Sequence, residues 1–163
     1  MRLLPLAILL LHAYVAAQSV NVALHGTASQ SSTAWAASAD RAVDGDRDGM
    51  WTHGSVTMTA DAPGSWWQVS FAPNYVHEIA LFNRSDSAWQ RLSNFRVDVI
   101  IGTVSIYSRN FCTDGSWIDH GFSARLLLPQ TGLPADTVRV TLLGPGPTSE
   151  QILDRKSTRL NSS

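Results

Sequence analysis

The chain has 163 residues, a formal net charge of −1 and a single cysteine. It offers no electrostatic field for nucleic acid or an acidic membrane surface, and it cannot close an internal disulfide. Its length allows one domain with its own core and not two.

Met1–Ala17 carries an early arginine, Arg2, an apolar stretch from Leu3 to Leu11 and small residues just before Gln18. This is the pattern of a secretory signal peptide, too short and interrupted for a membrane span, so the mature chain is expected to be secreted and soluble. Val20–Leu24 reads as a short strand. His25–Ala39 reads as a surface loop of small and hydroxyl residues around Trp35, which either lines a pocket or covers core.

Arg41–Gly49 reads RAVDGDRDG. Asp44, Asp46 and Asp48 at alternate positions, with two glycines, describe a tight loop whose oxygens can converge on a hard cation. The same run matches the opening of an EF-hand loop, but its twelfth position is Ser55 rather than a bidentate glutamate, and Trp66–Phe71 reads as strand. The remaining alternative is a solvated acidic turn.

Ser65–Ala72 and Tyr75–Phe82 read as two strands with Pro73-Asn74 as their turn. Between the strand-like runs Ile79–Phe82 and Phe95–Ile101 lies a polar interruption holding Arg84, Asp86 and Arg91. Two guanidiniums so close would repel unless a carboxylate stood between them, and Asp86 can do that while fixing the planar fork of one arginine. Alone, the pattern is also that of a surface salt bridge. Asn83-Arg84-Ser85 is an N-glycosylation acceptor, and a glycan there would crowd this loop, so either the asparagine is inaccessible or the acceptor is not used.

Thr103–Arg109, Ala124–Leu128 and Thr137–Leu143 complete the strands, separated by Gly102, Asp114-Gly115 and Pro129–Pro134. Many short strands without a helical segment predict an all-β fold, an antiparallel β-sandwich. Cys112 is either a buried small hydrophobe or half of an intermolecular bridge. Asp154–Ser163 turns abruptly polar and reads as a non-native tail, the conceptual translation of a sequencing adapter; a flexible tail is the other reading.

The run from Arg84 to Arg91 followed by Leu92-Ser93-Asn94-Phe95 resembles the sugar-binding motif of the F-type lectins, or fucolectins. Asn21-Val22-Ala23-Leu24, Ser29-Gln30-Ser31-Ser32, Ala42-Val43-Asp44-Gly45 and Trp66-Trp67-Gln68-Val69 recur in that family's order. The resemblance covers about Val20 to Leu153. It implies a discoidin-like jelly-roll over residues 18–153 and a secreted, non-enzymatic protein that binds L-fucose or fucosylated glycans. In it Arg84 and Arg91, held by Asp86, would bind the sugar, and Trp51, Trp89 or Trp35 would receive its methyl group.

Met58 stands where the family carries a histidine, a loss of one hydrogen-bond donor that His53 is the nearest residue to replace. The resemblance also implies a structural calcium ion (Ca2+) held near Arg41, Asp44, Asp46 and Ser55, with a further glutamate from the closing strand. The polar tail replaces that strand, so the strand is expected to be missing and the calcium set incomplete. Val56, Ser87 and Ala88 occupy positions where the family's cysteines are common.

One shallow site binds weakly, so useful avidity calls for a homo-oligomer. A discoidin-like adhesion or membrane-binding domain without sugar specificity would instead present Trp35 and Trp89 as apolar spikes. A hydrolase would need carboxylates flanking a cleft, whereas the acidic cluster here lies in one tight loop.

Overall fold

The computed structural model describes residues 19–111, 123–145, 149, 152–155 and 157–162. The leader, Cys112 and the Asp114-Gly115 turn lie outside the described residues. The strands are β1 (Val20–Asn21), β2 (Thr27–Gln30), β3 (Thr57–Met58), β4 (Trp66–Phe82), β5 (Phe95–Ile101), β6 (Val104–Phe111), β7 (Ser123–Leu127), β8 (Leu133–Leu142), β9 (Asp154–Arg155) and β10 (Ser157–Ser162). All their pairings are antiparallel.

β4 organises the sandwich. Its first half pairs with β2 and with the end of β8, and its second half pairs with β10 and β7. Trp67 and Val69 from the first half, and Val76, Ile79 and Leu81 from the second, enter the same buried cluster as Leu126, Val138, Val140 and Leu160. The expected antiparallel β-sandwich is therefore present, with one long strand contributing to both of its halves.

Three local expectations change. Pro73-Asn74 is not a turn: the chain runs through it as one strand, and the missing proline N–H is absorbed where the β4–β8 register shifts between Ser70 and Asn74. Val20–Leu24 stops being a strand after Asn21, because the Asn21 side chain accepts from the Ala23 N–H and draws Val22–His25 into a 3-10 turn. Within the expected 25–39 loop, Thr27–Gln30 pairs with Gln68-containing β4 residues as β2.

The fourth correction is larger. The closing strand is not missing: Ser157–Ser162 forms β10 between β1 and β4. Thr158, Leu160 and Ser162 alternate inward and are buried. A strand needs its backbone groups paired and an alternation that fills the space beneath, and small hydroxyl side chains meet the second requirement here. β9 brings Arg155 inside as well, fully buried.

Candidate sugar-binding site

The end of β4 and the loop that follows carry the site. Arg84 Nε and Nη2 donate to Asp86 Oδ1 and Oδ2 at 2.8 and 2.6 Å, a two-pronged pairing. The Arg84 side chain keeps 6% of its surface and that of Asp86 16%. Asp86 also accepts from the backbone N–H of Ala88 at 3.2 Å and of Trp51 at 3.1 Å. The Arg84 guanidinium lies 5.2 Å from the centre of the Trp51 ring, within cation–π reach. One carboxylate thus fixes an arginine, its own loop and the segment beginning at Trp51.

Burial pushes the Asp86 carboxyl up, but the Arg84 hydrogen bond and the Ala88 and Trp51 N–H groups outweigh it, so the carboxyl ends below its usual range. A depressed carboxyl contributes stability that is present above its unfolded value, about 3.9, and lost as the pH falls through the folded one. Ligand binding is therefore expected to stay level from neutral pH down through the usual carboxylate range and to collapse only below it. A binding titration that declined steadily from pH 7 would contradict this role for Asp86.

Arg91 lies in the 3-10 turn Trp89–Arg91 and joins Arg84 at a cavity of about 350 Å³ completed by Trp35, Trp51, Met58 and Ala88. Three of the expected sugar contacts, Arg84, Arg91 and Trp51, therefore share one cavity, with Asp86 behind them. Trp89 is half-buried and His53 is paired with Asp48; neither lines this cavity.

Met58 lines the cavity, while its backbone accepts from the Ala34 N–H and donates to Ala37. Gln30 Nε2 donates to the carbonyls of Ala37 and Met58, tying the Trp35 loop to β3. Trp35 itself is 82% exposed, and both it and Ala36 have positive φ. Trp35 thus stands exposed at the cavity on left-handed backbone, a conformation that non-glycine residues adopt only at a cost. Of the two sequence readings for Trp35, pocket lining is the one the coordinates show.

The acidic loop abuts the arginine loop. Ser85 N–H donates to the Gly49 carbonyl at 3.1 Å, and a Cβ at Gly49 would meet Ser85 N at 2.7 Å and the Asn83 carbonyl at 2.8 Å. Only glycine allows that approach. Asp44, Asp46 and Asp48 each accept from a backbone N–H two residues on, at 2.9 to 3.0 Å. Ser55 Oγ donates to the Asp48 carbonyl, and Arg41 Nη1 donates to the Val56 carbonyl. Among the described residues no three His, Cys, Asp or Glu side chains converge as a metal cluster. The oxygens present are of the kind calcium takes, but neither β9 nor the closing strand β10 offers the glutamate that the resemblance implies.

No protein-family model matches the chain. Fucolectin-1 of Anguilla japonica is 35% identical over 83 residues, 47% of each chain, so the chain matches about half the length of this curated relative. The lectin domain of lectinolysin, solved in complex with Lewis B antigen, superposes with a TM-score of 0.77 at 31% identity, covering 88% of this chain and 97% of that one. The chain belongs to the F-type lectin family. A fucose-binding module of Streptococcus pneumoniae superposes on this F-type lectin domain with a TM-score of 0.78 at 28% identity, over 89% and 96% of the two chains. The proteins and domains it matches here are lectins and sugar-binding modules.

Proposed function

We propose that this F-type lectin domain is a secreted protein that binds terminal L-fucose on glycans through Arg84 and Arg91. The observation that carries the reading is an arginine locked by a half-buried carboxylate at the rim of a cavity that a second arginine, Arg91, shares with the apolar side chains of Trp35, Trp51, Met58 and Ala88. Fucose is uncharged, so its oxygens must accept hydrogen bonds, and charge-assisted ones contribute about 1.5–3 kcal/mol each. Because Asp86 holds the Arg84 fork before the ligand arrives, little ordering cost is left at binding. The 6-methyl group of the sugar finds an apolar surface in Trp35, Trp51 and Met58. The solved relatives, a fucose-binding module and a domain in complex with Lewis B antigen, support the same ligand class. Retention on fucose-agarose and elution by free L-fucose test the reading. Failure to be retained, or elution by glucose as readily as by fucose, sinks it.

Met58 donates no hydrogen bond, so the site makes fewer polar contacts than a histidine there would give. Met58→His is expected to tighten fucose binding about three- to tenfold, the value of one net hydrogen bond. Calorimetric titration reads the change, and an unaltered or weaker affinity would remove position 58 from the contact set.

Calcium belongs to the same proposal. Asp44, Ser55 and the backbone near Arg41 and Asp46 would hold it, and it would supply countercharge to an acidic loop seated directly on Gly49–Ser85. With so few acidic ligands the affinity is expected near 10⁻⁴–10⁻³ M, the range of extracellular modules. Calcium at tenfold above that value should raise the melting temperature by a few degrees, and magnesium should not. A melting curve indifferent to millimolar calcium after chelation would contradict it.

A further inference from the structure

Asn83, the first residue after β4, is 4% exposed. Its Nδ2 donates to the Trp89 carbonyl at 2.8 Å, and its Oδ1 accepts from the Arg84 N–H at 2.7 Å. One amide side chain therefore joins the segment carrying Arg84 to the 3-10 turn carrying Arg91. Its own carbonyl faces Gly49 across the tight contact described above. Neither the arginine pair nor the cavity accounts for this residue, yet it sets how the two arginines stand to each other.

Asn83 also heads the acceptor triplet Asn83-Arg84-Ser85. Glycan transfer forms a bond between Asn83 Nδ2 and the anomeric carbon of a lipid-diphosphate-linked oligosaccharide, and it releases the lipid diphosphate and one amide proton. The attacking nitrogen is the one that the folded protein seats against Trp89. Transfer therefore reaches only a chain whose loop has not closed. A chain that has received the glycan has no path to bring it out of so enclosed a position.

Resting on the fucose reading, we propose that Asn83 is a positioning residue for Arg91 and that glycosylation of Asn83 and formation of the sugar site exclude one another. Occupancy of this acceptor then determines how much active lectin a glycosylating cell releases.

The test expresses the full chain in a glycosylating secretory host, passes medium and lysate over fucose-agarose, and maps the Asn83 peptide by mass spectrometry. Retained protein is expected to carry unmodified Asn83, with glycan-bearing chains confined to the unretained fractions. Ser85→Ala removes the acceptor but keeps Asn83, and should raise the retained yield; Ser85→Thr keeps the acceptor and should divide like the parent chain. A glycan on Asn83 in retained protein overturns the proposal, as does its absence from every fraction of both the parent and Ser85→Thr.

Positioning is read separately by Asn83→Asp, which keeps the shape and removes the Nδ2 donor. It is expected to weaken fucose binding about tenfold in the parent and not at all in an Arg91→Ala background; equal losses in both overturn the positioning role. If unmodified Ser85→Ala protein is not retained, the fucose reading fails instead. Exclusion is then judged by protease digestion: glycosylated chains as resistant as unmodified ones would overturn it.

Discussion

Replacing Arg84 by lysine is expected to reduce fucose affinity at least 100-fold, about as much as replacing it by alanine, although the positive charge remains. The guanidinium meets both oxygens of Asp86 at 2.8 and 2.6 Å while lying over Trp51. A lysine ammonium is a point donor and cannot span that carboxylate while also facing the cavity. Losing even two charge-assisted contacts costs roughly 3–6 kcal/mol, and about 1.4 kcal/mol corresponds to each tenfold in affinity. The fold should survive, since β4 and its pairings do not depend on this side chain, so the melting temperature should move by only a few degrees. Calorimetric titration of the lysine variant within threefold of the parent would show that charge, not the fork, is what the site uses.

Arg155→Met is expected to stabilise the protein by about 2–4 kcal/mol, a rise of roughly ten degrees in melting temperature. Arg155 is fully buried, with its guanidinium 3.5 Å from the centre of the Trp67 ring and Nη2 donating to the Thr158 hydroxyl. Its Nε and Nη1 have no hydrogen-bond partner among the described residues. A desolvated cation–π contact is worth about 2 kcal/mol, whereas burying an ion without a counter-ion costs several. Burial accordingly pushes the guanidinium well down from its usual value, to about 9.

In that window the unfolded chain holds more protons than the folded one, so stability should rise with pH there in the parent and not in the methionine variant. The misfit falls immediately after Asp154, where the composition turns abruptly polar. Thermal melts of the two proteins decide the matter: a methionine variant no more stable than the parent would mean that Arg155 is compensated.

The parts of the fold that were legible in the sequence are those fixed by local pattern. Phe95–Ile101 was bounded by turn residues and forms β5 over the same span. The arginine loop was legible because Arg84, Asp86 and Arg91 are neighbours in the chain, and their charges allow few arrangements. Pro73 misled because a turn residue was absorbed by a register shift against β8, which no local pattern announces. The closing strand was hidden by its polarity, since Thr158 and Ser162 fill inward positions normally given to larger apolar residues. Trp35 and Met58 reach the same cavity through backbone contacts between Ala34 and Met58, distant in sequence, so their meeting could not be read beforehand. Asn83 was visible as a glycan acceptor but not as the tie to Trp89, because that tie depends on how the loop folds back.

Calorimetric titration with methyl α-L-fucoside, L-galactose and methyl α-D-glucoside tests the central claim most directly. The account predicts measurable fucoside binding with a dissociation constant in the range of about 0.1 to a few mM. It predicts weaker binding of L-galactose, which places a hydroxyl where fucose has its methyl hydrogen, and none of the glucoside. Heat from all three alike, or from none, would contradict it.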